Sequence, residues 1–176
     1  MIKSTECCFP AFSFLVFYFS FILMLGYIIS ILIAQLAGLI GSVFTMPSIA
    51  TWYTGLVKPT FSPPNYLFGP VWALLYTLMG MAAFRVWEKR KGTRGVRLAL
   101  MLYAVQLVLN VLWSLAFFGV HNILAGLGVI GLLWFAIFIT AVLFYRIDKT
   151  AGWMMVPYIL WVSFATVLNY ALWTLN

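Results

Sequence analysis

The chain has 176 residues, of which 65% are hydrophobic and 7% are charged, and its mean hydropathy is +1.09. These values exclude an ordinary soluble domain and a disordered chain. The formal net charge of +7 does not indicate nucleic-acid binding, because the cations cluster between apolar segments and no recognition motif accompanies them. The composition therefore predicts an integral, multi-pass, all-α membrane protein.

The first apolar segment is longer than one membrane span requires. No charged residue occurs between Cys7 and Lys58, whereas about 20 apolar residues suffice to cross a bilayer. We predict the first bundle helix at 24–45, within a single membrane domain at 24–176. Residues 1–23 form an apolar extension, for which a signal-like segment, a tilted continuation of the helix and a sixth span are alternatives. The cysteine pair that begins at Cys7 forms no redox motif, and no metal site is predicted.

The connector Trp52–Trp72 (W-Y-T-G-L-V-K-P-T-F-S-P-P-N-Y-L-F-G-P-V-W) is rich in proline and aromatic residues. Proline fixes φ and lowers the entropy of the unfolded loop, so this segment can hold one shape without regular hydrogen bonding. An ordered aromatic loop is what a lid over an apolar pocket requires. The alternative is a belt of aromatic residues at headgroup depth. The density of prolines favours the lid.

Four further apolar segments are long enough to span a membrane, at 67–87, 97–119, 123–145 and 152–174. Six cations between Arg85 and Arg97, together with the connector Arg146–Lys149, predict cytoplasmic loops under the positive-inside rule, with contacts to anionic lipid. The proline-rich loop and the turn that contains His121 then lie together on the opposite side. The result is a five-helix bundle with an ordered first loop, a cytoplasmic N-terminus and an external C-terminus.

The predicted spans carry no ionisable side chain near their middle. Ion-coupled carriers place such residues there, and hydrolytic enzymes need acids and bases, so both classes are disfavoured. Gln106 and Asn110 share one face of the third span because they are four residues apart. Trp161, Ala165 and Asn169 recur with the same spacing in the fifth. These residues predict either hydrogen bonds between helices or two facing walls of a pocket for a flat apolar molecule.

Two other features bear on a ligand. His121 is the chain's only histidine, and we predict a solvated or capping loop residue, with haem or metal ligation as the alternative. The segment Val142–Lys149 fits the loose sterol-binding pattern L/V…Y…K/R, which helix ends near an interface often produce by chance.

Several motifs together resemble the TspO/translocator-protein family, the tryptophan-rich sensory proteins. The matching segments follow the family's order over about residues 38–176: G-S-V-F (41–44), W-Y-T-G-L-V-K-P-T-F-S-P-P (52–64), F-G-P-V-W-A-L-L-Y-T-L-M-G (68–80), Q-L-V-L-N-V-L-W-S (106–114), F-F-G (117–119) and P-Y-I-L-W-V-S-F-A-T-V-L-N (157–169). No Lys or Arg follows Tyr170, where vertebrate members carry a cholesterol motif. The chain is therefore more similar to the shorter bacterial members, which favours a bacterial inner membrane over a mitochondrial outer membrane.

The resemblance implies a five-helix bundle, commonly a homodimer, with a pocket beneath the first loop. Its motifs place the ligand-binding residues at Tyr53, Pro63, Trp72, Tyr76, Gln106, Asn110, Trp161, Ala165 and Asn169. It implies a receptor or sensor for tetrapyrroles such as protoporphyrin IX or haem, and in some members for sterols, that handles porphyrin under stress and requires no cofactor of its own. The alternatives are an enzyme that degrades porphyrin with light and oxygen, with Trp72 and Trp161 as catalytic candidates, and a passive transporter of porphyrin or sterol.

Overall fold

The computed structural model describes the backbone of residues 9–176 and the side chains from Tyr18 onward, apart from Phe19. The cysteine pair Cys7–Cys8 lies outside the described residues. Within the described part, five helical segments are long and apolar enough to cross a membrane, and no strand is present. This confirms the predicted five-helix bundle and the multi-pass membrane location.

The helices follow the predicted order. They are α1 (Phe9–Ala50), α2 (Trp52–Gly55), α3 (Phe68–Glu88), α4 (Val96–Ser114), α5 (Ile123–Ile147), α6 (Lys149–Met154) and α7 (Val156–Leu175). A π-helical turn extends α4 to Gly119, and α6 with α7 forms the fifth span. The four later spans agree with the predicted segments to within a few residues, because polar or proline-containing turns bound each of them.

Helix α1 is longer than the predicted 24–45, and its candidate span is Ser20–Ala50. It passes residue 23 without a break, so the described part of the extension is helical and continuous with the bundle helix. The fate of residues 1–23 stays open. Helix α1 packs chiefly on α3 through small residues. A Cβ atom added at Gly80 would lie 2.5 Å from the Cα of Ile31, so the glycine permits close approach of the two backbones.

The end of the bundle that carries the basic connectors is closely packed. Phe144, Ala151 and Met155 there are fully buried. The Arg85 side chain donates to both carboxylate oxygens of Asp148, at 3.1 and 3.0 Å. This ion pair joins the end of α3 to the turn between α5 and α6, and it places the two basic connectors at one end, as predicted. Which side of the membrane this end faces stays a prediction.

The first loop and the turn between α4 and α5 meet at the opposite end, also as predicted. The rings of Trp52 and His121 stack with centroids 4.6 Å apart and an interplanar angle of 17°. The Ser48 hydroxyl donates to the carbonyl of Phe118 at 2.7 Å and lies 3.1 Å from Nε2 of His121. His121 has a φ of 58°, a left-handed conformation in which histidine is enriched. It therefore serves as a turn residue that anchors the start of the loop.

Candidate ligand-binding site

A cavity of about 450 Å³ lies beneath the first loop, between α1, α3, α4 and α7. Its volume falls in the range of small-molecule sites, about 300–1,000 Å³. Its aromatic lining residues are Tyr53, Tyr66, Phe68, Trp72, Tyr76, Trp113, Phe117 and Phe118. Its polar lining residues, apart from the tyrosine hydroxyls and the Trp113 indole N–H, are Gln35, Ser42, Thr45, Asn65, Asn110, Ser114 and Asn169. The cavity thus combines apolar aromatic walls with a few uncharged hydrogen-bonding groups.

Six of the nine residues that the sequence singled out line this cavity: Tyr53, Trp72, Tyr76, Asn110, Ala165 and Asn169. They come from the first loop, α3, α4 and α7, which are distant in sequence. Pro63, Gln106 and Trp161 are not among the lining residues. The structure thus brings most of the predicted set to one cavity, and the ligand-binding role of all nine stays a prediction.

The cavity has a hydrogen-bonded floor, which consists of Tyr76, Asn110 and Tyr158. The Tyr76 hydroxyl donates to Oδ1 of Asn110 at 2.7 Å, and Nδ2 of Asn110 donates to the Tyr158 hydroxyl at 2.9 Å. The three residues belong to α3, α4 and α7, so this floor links three helices. Both ends of the Asn110 amide are engaged, as the interpretation of intramembrane amides as links between helices requires. Asn110 nevertheless borders the cavity.

Asn169 makes a second link, nearer the first loop. Its Oδ1 accepts from the indole N–H of Trp113 at 3.3 Å, and its Nδ2 donates to the carbonyl of Ile123 at 3.0 Å. It thereby joins α7 to α4 and α5. The two predicted amides hold the helices around the cavity at fixed separations while presenting their edges to it.

Gln106 lies below the floor, one turn of α4 farther from the first loop than Asn110, whereas Trp161 lies beside the cavity, on α7 between Tyr158 of the floor and Ala165 of the wall. The Gln106 side chain is fully buried, and its Nε2 is 3.7 Å from Sδ of Met79 on α3. Trp161 is half-buried and packs edge-on against Phe68, with centroids 5.9 Å apart. Phe68 itself lines the cavity, so Trp161 stands one ring behind the wall.

The first loop is ordered by turns at its prolines and by contacts with α7. Backbone hydrogen bonds run from Ser62 to Pro59 at 3.0 Å and from Leu67 to Pro64 at 3.1 Å. The Asn176 side chain pairs with the backbone of Val57, accepting from its N–H at 3.0 Å and donating to its carbonyl at 3.1 Å. These contacts confirm an ordered loop. Pro63 is half-buried in it without bordering the cavity.

Tyr53, near the start of the first loop, borders the cavity and offers a buried hydroxyl to a ligand. It is 4% exposed, and among the described residues its hydroxyl makes no hydrogen bond of good geometry, although the Ser62 side chain lies close enough to lower its pKa. Burial raises the pKa of this hydroxyl, and the nearby Ser62 side chain lowers it by less. The ammonium group of Lys58 lies 4.5 Å from the centre of the Tyr53 ring. A buried hydroxyl without a partner costs free energy that a ligand acceptor would recover.

Two other predicted residues carry buried polar atoms without a partner. They are Oε1 of Gln106 and Nε1 of Trp161. Among the described side chains, the other buried polar atoms without a partner are the hydroxyls of Tyr53 and Tyr103. Neither Gln106 nor Trp161 reaches the cavity in this structure, so the unpaired atoms alone do not make them ligand contacts.

Sequence reasoning missed the contribution of α1. Gln35 lines the cavity, and its Nε2 donates to the carbonyl of Ala73 at 2.9 Å and to the Thr77 hydroxyl at 3.1 Å. It is the one amide side chain between Cys7 and Asn65, and this isolation in an apolar segment is a signal that could have identified it. Phe117 and Phe118 were visible as part of a motif, but their position at the cavity depends on the π-helical turn that contains them.

Comparisons with known proteins agree with this architecture. The sequence profile of the TspO/MBR family matches residues 30–174. A tryptophan-rich protein TspO of Chlorobaculum tepidum is 46% identical over 144 residues, which cover 79% of this chain and 88% of the relative. The human translocator protein is 37% identical over 138 residues, with 78% and 82% covered. A tryptophan-rich sensory protein of Cereibacter sphaeroides is 38% identical over 125 residues, with 71% and 77% covered.

Proposed function

This chain belongs to the TspO/MBR family, two of whose members are named translocator protein and tryptophan-rich sensory protein. We propose that it is a membrane receptor for tetrapyrroles such as protoporphyrin IX or haem. The observation that carries the proposal is the aromatic cavity capped by an ordered loop, with the unpaired Tyr53 hydroxyl at its edge. The homodimer and the passive transfer of porphyrin or sterol that the resemblance implies stay predictions.

The walls of the cavity suit a flat aromatic ligand. Trp72 and Tyr76 stack with centroids 5.6 Å apart and an interplanar angle of 30°, and both border the cavity. Trp113 and Phe117 form a second stacked pair on α4 and its π-helical turn, with centroids 5.7 Å apart and an angle of 21°. Aromatic side chains favour offset-stacked and edge-on partners. A macrocycle between these two pairs would find both kinds of contact.

The charge at the loop favours a tetrapyrrole over a sterol. Lys58 is the one Lys or Arg between Cys7 and Arg85, and it lies over the ring of Tyr53. Protoporphyrin carries two carboxylates, and the Lys58 ammonium and the Tyr53 hydroxyl can each donate a charge-assisted hydrogen bond to one of them. A sterol presents no carboxylate and would leave the cation unused.

The test is a fluorescence titration of the detergent-purified protein with protoporphyrin IX in darkness. We expect saturable tryptophan quenching, because several indoles line or flank the cavity. Replacement of Lys58→Gln should weaken binding by about tenfold, the loss of one charge-assisted contact. The dimethyl ester of protoporphyrin, which lacks carboxylates, should bind the original protein and the variant equally.

The matched control is Arg94→Gln, which removes the same charge from the basic connector at the other end of the bundle. It should leave protoporphyrin binding unchanged. Absence of saturable quenching would refute the tetrapyrrole assignment, and titration with cholesterol would then test the sterol alternative. Equal losses in Lys58→Gln and Arg94→Gln would show that net charge, and not contact at the loop, governs binding.

A second function, light- and oxygen-dependent degradation of porphyrin, is supported by the position of Trp72. Its indole borders the cavity and lies edge-on to Tyr158, with centroids 6.2 Å apart. An oxidisable indole beside a photosensitiser needs no acid, base or metal from the protein. Trp161, the other candidate, is separated from the cavity by Phe68.

Illumination of the protoporphyrin complex distinguishes the two functions. If the protein is catalytic, Trp72→Phe should bind protoporphyrin in darkness and lose most of the light-dependent decrease in its absorbance. Trp153→Phe is the control, since Trp153 is 65% exposed and lies at the basic end. An unchanged rate of product formation in Trp72→Phe would remove this residue from the mechanism.

A further inference from the structure

A second hollow, the basic-end groove, lies between the end of α3 and the start of α4. It has a volume of about 520 Å³, and no residue that lines it also lines the cavity beneath the first loop. Trp87, Arg90 and Arg97 stand at its rim, and Leu100, Met101 and Ala104 continue along α4 as its apolar floor. The groove therefore joins two guanidinium groups to an apolar surface.

Among the described residues, the arginines of the rim have no acidic partner. The guanidinium of Arg90 lies 3.3 Å from the centre of the Trp87 ring and donates to the Trp87 carbonyl at 3.2 Å, and both contacts hold it over the indole at the rim. Within the part of the chain that the structure describes, the one salt bridge joins Arg85 to Asp148. Glu88, the nearest carboxylate in sequence, does not line the groove.

The groove has charged side chains at one end and apolar side chains along the rest, as a phospholipid has a charged headgroup followed by acyl chains. Its arginines and Trp87 belong to the last turns of the α3 span and the first turn of the α4 span, where lipid headgroups and aromatic belts are expected. Met101 is 56% exposed on the lipid-facing surface of α4, and Ala104 is exposed one turn farther into the span. A phosphate at the rim would thus place an acyl chain along the floor.

From these observations we propose that the basic-end groove binds an anionic phospholipid, with Arg90 and Arg97 on its phosphate and an acyl chain along Leu100, Met101 and Ala104. Guanidinium groups bind phosphate through paired hydrogen bonds. A zwitterionic lipid offers the same phosphate but adds a cation that the rim repels. A soluble phosphate would use the rim and leave the apolar floor in contact with bulk lipid. This inference does not depend on the proposed tetrapyrrole site.

Native mass spectrometry of the full chain in detergent tests the proposal, with three probes at equal concentration. Dioleoylphosphatidylglycerol should bind as one tight equivalent, and dioleoylphosphatidylcholine should bind about tenfold more weakly, because its choline cation lies beside the same guanidinium groups and offsets part of their attraction to the phosphate. Glycerol 3-phosphate should not displace the anionic lipid. Equal binding of the two lipids, or displacement by glycerol 3-phosphate, would overturn the assignment.

Variants with equal charge separate the groove from the general charge of the connector. The pair Arg90→Gln and Arg97→Gln should weaken binding of the anionic lipid by about 25-fold, about fivefold for each guanidinium. The pair Lys91→Gln and Arg94→Gln removes the same charge outside the groove and should change affinity by less than about threefold. Equal losses of lipid affinity in the two double variants would show that only the overall charge of the connector attracts the lipid, and would refute a binding site in the groove.

The floor is tested by Ala104→Phe, which fills the groove without changing charge. We expect it to weaken the anionic lipid and to leave the thermal unfolding temperature unaltered, because Ala104 is exposed and borders no core cluster. Unchanged lipid affinity in this variant would show that no acyl chain lies on the floor.

Discussion

The helices of the bundle are held together by different interactions in its two halves. In the basic half, around the Arg85–Asp148 pair, the interior between the helices is closely packed, and Phe144, Ala151 and Met155 are fully buried. In the loop half, beneath the first loop, the helices surround a cavity of about 450 Å³. There the amides of Asn110 and Asn169 bridge the helices that packing alone does not join.

The difference separates stability from binding within one small domain. In lipid, helices gain little from the hydrophobic effect, so close packing and hydrogen bonds between helices must supply the attraction. The basic half uses close packing and can hold the bundle together. In the loop half the cavity reduces contact between the helices, and hydrogen bonds between helices replace the attraction that this contact would supply. Substitutions in the basic half should therefore lower stability, whereas substitutions in the walls of the cavity should chiefly change binding.

The largest expected effect comes from adding one methyl group to each half. A Cβ atom at Gly152, in the basic half, would lie 2.6 Å from the Cα of Tyr145, whereas nothing lies within 4 Å of a Cβ atom at Gly69, which borders the cavity. We expect Gly152→Ala to lower the free energy of unfolding by about 2–3 kcal/mol through overpacking. Gly69→Ala should leave it unchanged or raise it by less than about 1 kcal/mol. Thermal unfolding in detergent, followed by circular dichroism, measures both.

The same pair should behave oppositely in binding. The new methyl group of Gly69→Ala enters the cavity and should weaken protoporphyrin, while Gly152→Ala should retain the affinity of the original protein at temperatures where it is folded. Equal destabilisation by the two alanines would show that the loop half is as tightly packed as the basic half.

A smaller effect is expected from the floor of the cavity. Tyr76→Phe leaves Oδ1 of Asn110 without its donor, at a cost of about 1–2 kcal/mol. Tyr103→Phe is a matched control, because Tyr103 is also buried but its hydroxyl has no partner to lose. It should leave the unfolding temperature unchanged or raise it. Identical unfolding temperatures for the two variants would show that the floor contributes nothing to stability.

The fold was predictable from the sequence wherever charge or proline bounds an apolar segment. A helix that crosses a bilayer needs about 20 apolar residues, and its backbone groups have no alternative to helical hydrogen bonds in lipid. The ends of α3, α4, α5 and α7 follow from this. The start of α1 did not, because no charge lies between Glu6 and Lys58 to mark where the span begins.

The sequence predicted which faces of the helices surround the candidate site, but not how far along the helices the cavity extends. A spacing of four residues places Gln106 and Asn110 on one side of α4, yet it also separates them by about 6 Å along the helix axis. The cavity ends between them, at the hydrogen bonds that Asn110 makes with Tyr76 and Tyr158. Trp161 is kept from the cavity for a different reason, because it lies above the floor but behind the ring of Phe68. Helical periodicity carries no information on where a cavity stops, because that depends on partners from three other segments.

The last and smallest effect concerns pH, to which the two halves should respond differently. Of the three carboxylates, Glu88 and Asp148 belong to the basic half, and Glu6 lies outside the described residues. Burial alone would raise the pKa of Asp148, but the Arg85 guanidinium, the Ala151 amide and the charge of Lys89 together hold it below its usual value. The carboxylate also caps α6 by accepting from Ala151 at 2.9 Å.

Since the pKa of Asp148 is lower in the folded protein than in the unfolded chain, the ionised form stabilises the fold. This contribution is fully present above the unfolded-state pKa, about 3.9, and is lost as the pH falls through the lower folded-state value. Asp148→Asn keeps a capping side chain but removes the charge, so we expect it to lower stability by about 1 kcal/mol at neutral pH. It should also reduce the loss of stability on acidification, measured as unfolding temperature between pH 7 and pH 3.

Arg85→Gln supplies the complementary measurement, because it removes the partner and leaves the Asp148 carboxylate in place. It should destabilise the protein at neutral pH as Asp148→Asn does, and the double variant should lose less than the sum of the two single variants. Additive losses would mean that the two side chains stabilise the fold independently. The coupling between the two charges would then contribute nothing to the basic half, which would be held by close packing and by the separate contacts of each side chain, such as the cap that Asp148 provides for α6.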